Sequence, residues 1–204
     1  MSTGIATFAP QPTSIFITPH VQYSSSVGVL GCKIDTNSVA YWPGQVDCDD
    51  ICLKLTSAHG SLKVLKIDSS ASAYDVSYNS WNYLATGYYA TDRPVPGGEI
   101  PVEYEFIHPS ECADILYQGF LPLSAANSMN YLTRCLNEPN SWVAQNYKLF
   151  NIIDPQCKRG HDHQCNLDGN QYPQCPSELG DDVVPDTDMT VVDIEYITGN
   201  AISA

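Results

Sequence analysis

Residues 65–84 read LKIDSSASAYDVSYNSWNYL, which predicts a strand over 65–68, a Ser/Ala-rich loop, a short strand over 73–77 and a short helix. The stretch carries two carboxylates, Asp68 and Asp75, in an aromatic setting. Carboxylates in such a setting either hold a polar network together or perform chemistry. The aromatic residues beside them are Tyr74, Tyr78, Trp81 and Tyr83.

Further strands are predicted on both sides of this stretch. Residues 51–56 alternate in polarity, and residues 62–67 follow after a turn, which is the pattern of a β-hairpin. Residues 100–107 alternate with period two, which predicts a half-buried strand. The other predicted strands cover residues 14–18, 27–34, 39–43 and 190–197.

The composition changes after Cys112. Ser124 and Ser141 are suitable N-caps for helices, and residues 154–180 are rich in turn formers and predict a loop. The predicted helices cover residues 113–117, 124–136 and 141–150.

Composition limits the partners. The 204 residues suit one domain with a sizeable core. The net charge is −14 and the pI is near 4.4, so the chain cannot neutralise a run of phosphates or an anionic membrane surface. No segment is long and apolar enough to span a bilayer. We therefore expect no nucleic-acid partner and no membrane partner.

The cysteines predict an oxidised protein with up to four disulfides, although spacing alone does not give their pairing. The first residues lack a basic region and an apolar core, so they predict no signal peptide. We expect Met1 to be an added start on a mature chain that is secreted or resides in the secretory-pathway lumen; the alternative is a cytosolic protein. The eight cysteines are Cys32, Cys48, Cys52, Cys112, Cys135, Cys157, Cys165 and Cys175.

Two patterns raise the question of a metal site. Cys48 and Cys52 have half of a zinc-site spacing, but no second half follows, which favours a disulfide-anchored loop. The run His161-Asp162-His163 lies near two cysteines that are more simply explained as disulfide-bonded. We expect no metal and no other cofactor.

Residues 28–112 resemble the six-stranded double-psi β-barrel of barwin, expansin domain one and family 45 glycoside hydrolases. The resemblance rests on the hairpin over 52–68, on the 73–77 segment AYDVS (His-Phe-Asp-Leu-Ser in expansins) and on the strand over 98–105. This chain has Ala73 in place of the expansin histidine, and Ser69 in place of a cysteine.

The resemblance implies a mainly β fold, a double-psi-like barrel core with a helical, disulfide-rich C-terminal extension. One compact domain would then have four parts, which are an N-terminal arm and strand (1–27), the barrel core (28–112), the helical cysteine-rich extension (113–180) and a late strand and tail (181–204).

A narrower resemblance covers residues 31–43, GCKIDTNSVAYWP, together with Cys48, Cys52 and the 74–83 stretch. These residues are similar to a group of small secreted fungal proteins. That group includes the intermolecular hetero-Diels–Alderases of tropolonic sesquiterpenoid pathways. The resemblance implies a cofactor-free pericyclase acting on small apolar and aromatic substrates, but it assigns no functional position.

A hetero-Diels–Alder step needs both partners held in contact, an aromatic pocket that excludes water, and one donor at the heterodiene oxygen. Lys66 or a tyrosine hydroxyl is the predicted donor, and Asp75 is a predicted polar anchor beside Tyr74. For each aromatic residue the alternative is ordinary packing. The predicted pocket walls are Tyr41, Trp42, Tyr74, Tyr78, Trp81, Tyr88, Tyr89 and Tyr104.

Two other functions remain open at this stage. One is a non-catalytic expansin-like or barwin-like protein that binds cell-wall glycan or acts as an effector. The other is a glycosidase that uses Asp68 and Asp75, with Asp35 facing them, because such enzymes need two carboxylates.

Overall fold

The protein is built on a closed six-stranded β-barrel, so the mainly β prediction is confirmed. The computed structural model describes residues 12–185 and 190–204. Around the barrel the strands are hydrogen-bonded in the order β1-β5-β2-β4-β3-β6. In chain order they are β1 (Thr13–His20), β2 (Val39–Pro43), β3 (Cys52–Ser57), β4 (Gly60–Ser70), β5 (Asp75–Ser77) and β6 (Ile100–Ile107).

The barrel combines antiparallel and parallel neighbours. β3 and β4 form the predicted hairpin, with Leu53 opposite Val64. β1 is parallel to β5, and β2 is parallel to β4. Because β1 is a barrel strand, the barrel includes part of the segment predicted as an arm and strand. The first eleven residues of that arm lie outside the described part of the chain.

Alternation along the strands fills the barrel. On β2, Ala40 and Trp42 belong to the cluster inside the barrel, whereas Val39 and Tyr41 belong to a second core on its outer face. The helix α1 (Tyr78–Thr86) packs on this interior cluster and ends at Gly87, whose φ of 81° suits glycine. Apolar side chains completing the interior are Ile17, Leu53, Leu55, Val64, Val76, Leu84 and Val102.

The rest of the chain forms a second layer on the outer face of the barrel. Its elements are β7 (Leu121–Ser124), α2 (Met129–Leu136), α3 (Trp142–Gln145), β8 (Tyr147–Ile152), β9 (Gly160–Leu167) and β10 (Pro173–Gln174). The four strands form one sheet in the order β10-β9-β8-β7. Its apolar residues share the outer core with Tyr41, Leu65 and Ile67 of the barrel. A hairpin of β11 (Val192–Ile194) and β12 (Ala201–Ser203) follows.

The structure corrects several predictions in the second half. No helix covers 113–117, α2 begins only at Met129, and the helix predicted over 141–150 ends at Gln145 and gives way to β8. β8 packs on both faces, with Leu149 in the outer core and Phe150 and Ile152 in a separate small cluster, so residues 149–152 are all buried. A short buried run does not distinguish a strand from a helix by its periodicity.

Two further predictions are wrong, one within the second layer and one in the segment that pairs with it. The predicted loop over 154–180 contains β9 and β10. The predicted strand over 27–34 is a single bridge from Val29 to Leu123, followed by a 3-10 helix over Gly31–Lys33.

All eight cysteines are paired in disulfides. Two disulfides tie the barrel half to the second layer, and a third joins the start of β3 to the segment after β6. Four disulfides are compatible with an extracellular or secretory-pathway protein. Within the described residues, no helix is long and apolar enough to cross a membrane. The pairs are Cys32–Cys157, Cys48–Cys135, Cys52–Cys112 and Cys165–Cys175.

Candidate functional site

The two ends of the barrel are closed differently. α1 lies at the end where β2 begins, because Ser80 donates to the carbonyl of Asn37, just before β2. At the other end, where β2 and β6 finish, four aromatic rings meet. We call this group the aromatic mouth, and it consists of Trp42, Tyr74, Tyr104 and Phe106.

The rings of the aromatic mouth contact one another mainly edge to face. The Trp42 ring centroid lies 4.9 Å from that of Tyr74 and 5.4 Å from that of Tyr104. Phe106 extends the group, with its centroid 5.9 Å from that of Tyr104. Such pairs are favourable beyond their buried area. Of the predicted pocket walls, the structure thus brings Trp42, Tyr74 and Tyr104 together.

Trp42 is the deepest member of the mouth. It is only 2% exposed, and it is held by its place in β2 opposite Ser69 of β4. Its indole Nε1 is buried and has no hydrogen-bond partner among the residues that the structure describes. A buried donor without a partner costs roughly 1–3 kcal/mol, so few native proteins keep one without a reason.

The outer rings of the mouth are more accessible. Tyr74 and Tyr104 are half-buried, and Phe106 is 37% exposed. Tyr74 lies in the loop before β5 and follows the exposed Ala73. The mouth therefore consists of a buried indole beneath rings that solvent and ligands can reach.

Lys66, the predicted donor, is committed to a different part of the barrel. It is 6% exposed, and its ammonium donates to the carbonyls of Pro43 at 3.3 Å and Gln45 at 2.8 Å. Burial lowers the pKa of Lys66, and the charges of Asp47 and Asp50 partly oppose that effect. The structure does not bring Lys66 together with Tyr74 and Asp75.

Asp68 and Asp75 lie on the strands either side of β2. Tyr41 is opposite Asp75 in β5 and opposite Asp68 in β4. Asp75 accepts a hydrogen bond from the Thr18 hydroxyl, and Asp68 accepts one from the Ser24 hydroxyl at 2.9 Å. Both carboxylates therefore bind the N-terminal part of the chain, which gives the two-carboxylate hydrolysis hypothesis no support.

Tyr41 is also structural in its contacts. Its hydroxyl accepts from the backbone of Ser24 and donates to the carbonyl of Gln22, and His20 packs on its ring at 3.8 Å. Burial raises the pKa of Tyr41. Asp35 was expected to face the other two carboxylates. It instead caps a second 3-10 helix, Thr36–Ser38, just before β2, by accepting a hydrogen bond from the Asn37 backbone. Sequence reasoning missed His20, Thr18 and Ser24, which no spacing connects to Tyr41.

Tyr78 and Trp81 belong to α1 and close the opposite end of the barrel. The Tyr78 hydroxyl donates to the carbonyl of Val95 at 2.7 Å. The Trp81 indole donates to the carbonyl of Gly98 at 3.0 Å. We call this end the plugged end, because its buried aromatic donors are already bonded within the protein.

Tyr88 and Tyr89 lie in the exposed loop after α1. Tyr89 stacks on Tyr83 at 4.9 Å, and the Arg93 guanidinium lies 5.5 Å from the Tyr88 ring centre. They are near α1, so the structure does not bring them to the aromatic mouth.

A second surface feature was not predicted. Residues of β1, β3 and β6, with Ala58 just after β3, line a cavity of about 400 Å³, which we call the outer groove. Phe16 of β1 lies opposite Pro101 of the groove and is 60% exposed. Alternation along β1 is the sequence signal that points Phe16 outward. The groove is lined by Ser14, Thr56, Ser57, Ala58, Pro101, Val102 and Glu103.

The candidate metal patterns are accounted for by other contacts. Cys48 and Cys52 are in separate disulfides. The rings of His161 and His163 stack at 5.5 Å, while Asp162 forms an ion pair with Lys33 at 2.8 Å. Within residues 12–185 and 190–204 no group of three or more His, Cys, Asp or Glu side chains is arranged to hold a metal ion.

Comparisons of the chain with protein-family models, with curated proteins and with solved structures find no match.

Proposed function

We propose that the protein is a cofactor-free pericyclase that catalyses an intermolecular hetero-Diels–Alder cycloaddition. One partner is a quinone-methide heterodiene and the other is a terpene alkene. One C–C and one C–O bond form while the π bonds shift, so no group leaves and no oxidant is needed. The proposal is supported by the resemblance of residues 31–43 and 74–83 to fungal enzymes of this class.

The observation that carries the proposal is the aromatic mouth. Tyr74 and Tyr104 offer partly exposed rings to a planar conjugated substrate, and Trp42 lies buried against both. Stacking there holds the heterodiene against the alkene, which removes translational entropy from the barrier. Once a substrate is bound between them, the rings shield its reacting atoms from water, which otherwise adds to a quinone methide.

Entry to the mouth requires one ring to move. Trp42 is covered, so a substrate reaches it only when Tyr74 or Tyr104 swings aside. Tyr74 suits this role because it lies in a loop, whereas Tyr104 is held in β6 between β1 and β3. Side-chain and loop motions of this kind take nanoseconds to microseconds, much faster than typical turnover.

The experiment is a cycloaddition assay with a tropolone quinone-methide precursor and a humulene-type alkene, followed by chiral chromatography of the adduct. We expect the protein to accelerate adduct formation and to favour one stereoisomer. Tyr104→Ala should lower the rate at least about tenfold, because it opens the mouth to water. The matched control is Tyr88→Ala on the exposed loop, which should keep the full rate. An adduct with the rate and stereochemistry of the buffer reaction would contradict the proposal.

A second candidate is favoured by the outer groove. Phe16 presents an exposed aromatic face, and the groove opposite supplies hydroxyl and carboxylate groups from Ser14, Thr56 and Glu103. Flat aromatic surfaces beside such groups suit glycan binding by an expansin-like protein. The test is retention on chitin, cellulose and β-glucan. Specific retention that Phe16→Ala abolishes would support this function, and no retention on any of the three would rule it out.

The double-psi type of the barrel and its secretion belong to the same proposal. The two parallel pairs, β1 with β5 and β2 with β4, are what an interlocked double-psi barrel requires. The four disulfides favour folding in an oxidising compartment. An experimental structure superposed on barwin would test the barrel type, and tracking the protein in the culture medium of its host would test secretion.

A further inference from the structure

We infer that the indole N–H of Trp42 is the hydrogen-bond donor to a carbonyl oxygen of the ligand bound at the aromatic mouth. The ligand class is a planar conjugated ketone, such as a tropolone or its quinone methide. This inference rests on the proposed function and assigns the donor that the cycloaddition requires.

The first argument is the unmet hydrogen bond. The Trp42 Nε1 atom is buried without a partner among the described residues, while the Trp81 Nε1 donates to Gly98 at the plugged end. Desolvating an indole N–H without an acceptor is unfavourable, and a ligand oxygen would recover that cost. The Trp42 N–H is therefore available to a ligand oxygen, because residues 12–185 and 190–204 supply no acceptor for it.

The second argument is that the other candidate donors either have hydrogen-bond acceptors within the protein or are accessible to water. Lys66 donates to two backbone carbonyls of the loop after β2. The rings of Tyr74 and Tyr104 are half-exposed, so their hydroxyls have access to water as an alternative partner. Of these donors, which all lie in the described part of the chain, the Trp42 N–H is the one that is buried without a partner. A preorganised, dehydrated donor stabilises developing charge most strongly.

The third argument is the chemistry of an indole. It donates a hydrogen bond and neither accepts one nor ionises under ordinary conditions. In the cycloaddition, electron density moves from the alkene to the heterodiene, and the carbonyl oxygen carries part of it before the C–O bond closes. Trp42 would stabilise that oxygen and keep its own proton, so the oxygen ends as a neutral ether.

The experiment uses tropolone as an unreactive probe and the full chain labelled with 15N at its tryptophan indoles. The Trp42 signal is assigned by its loss in Trp42→Phe. We expect tropolone to move the Trp42 N–H signal downfield and to leave the Trp81 signal in place. Trp42→Phe should weaken tropolone binding about tenfold, the usual loss for one hydrogen bond. Trp81→Phe, checked for folding by circular dichroism, should bind as the unchanged protein does.

The possible outcomes separate this inference from the proposed function. An unmoved Trp42 signal with tropolone bound, unchanged affinity in Trp42→Phe, or no tropolone binding at millimolar concentration would each overturn the inference. A shifted Trp42 signal without any accelerated cycloaddition would keep the donor and reject the pericyclase. Normal cycloaddition by Trp42→Phe would keep the pericyclase and reject the donor.

Discussion

The plugged end and the aromatic mouth are built from the same residue types, yet they differ in how their polar atoms are satisfied. Tyr78 and Trp81 donate to backbone carbonyls of the segment before β6. Trp42 has no such partner among the described residues, and the rings above it are half-exposed. Aromatic content alone therefore does not identify a binding pocket. A satisfied polar atom marks an aromatic residue as structural, and an unsatisfied one marks a candidate contact for a ligand.

The largest expected effect is at the plugged end. Trp81→Ala removes an α1 side chain that packs among the apolar residues inside the barrel. The cavity left behind should lower the free energy of unfolding by about 3–5 kcal/mol. Urea unfolding of the oxidised protein measures this cost. Tyr88→Ala is the surface control and should cost less than about 1 kcal/mol. A loss from Trp81→Ala as small as that control would mean that α1 does not plug the barrel.

A smaller effect distinguishes the two tryptophans directly. Trp81→Phe leaves the carbonyl of Gly98 without its donor, whereas Trp42→Phe breaks no hydrogen bond within the described protein. Trp81→Phe should therefore lower the free energy of unfolding by about 1–3 kcal/mol more than Trp42→Phe. Both variants lose similar ring volume, so each controls for the other in the same urea titration. Equal losses would show that the Trp42 indole has a partner in the free protein.

The smallest expected effect concerns the pH dependence that Lys66 confers. Its pKa is lowered in the folded state, so the folded protein releases this proton at a lower pH than the unfolded chain does. The cost of burying the charge is present at neutral pH and is relieved as the pH rises towards the ordinary lysine pKa of about 10.4. The unfolding free energy of the protein relative to Lys66→Met should therefore rise between about pH 7 and pH 10.

Urea titrations at the two pH values measure the change. Lys54→Met controls for general alkaline effects, because the Lys54 side chain is exposed and bonded to Glu105. The free energy of unfolding of the protein minus that of Lys66→Met is the quantity compared. If this difference stays constant or falls between about pH 7 and pH 10, the expected burial of the Lys66 charge is contradicted.

The sequence predicted the barrel strands better than the second layer. β3 and β6 carry alternation or turn signals, and their bounds were predicted closely. β4 was predicted over 62–67, but it extends over Gly60–Ser70 and is buried on both faces between residues 64 and 67. β7 is buried throughout and β8 is buried over residues 149–152, so their apolar runs carry no strand-specific period. Tertiary contacts decide such segments, and a single sequence does not contain them.

The sequence named candidate pocket walls, but it did not show which of them lie together. Alternation along β2 gives the side to which Trp42 points, but it does not tell which aromatic residues share an end of the barrel.

The position of Lys66 was not predicted because the pairing of β2 with β4 is irregular at this residue. The register between β2 and β4 shifts after Ala40 pairs with Lys66, so Tyr41 pairs with Asp68. A bulge of this kind has no sequence signal here, and it changes the neighbours of every residue beyond it.

The parallel pairing of β1 with β5 also has a consequence for synthesis. Thr18 pairs with Asp75, which the ribosome adds 57 residues later. At about 5–20 residues per second, β1 waits roughly 3–11 s for that partner, and longer for β6. During this time Ile15, Phe16 and Ile17 form an unpaired strand rich in apolar side chains. Yield during expression should therefore depend on how well the nascent β1 is shielded, more than on the stability of the finished barrel.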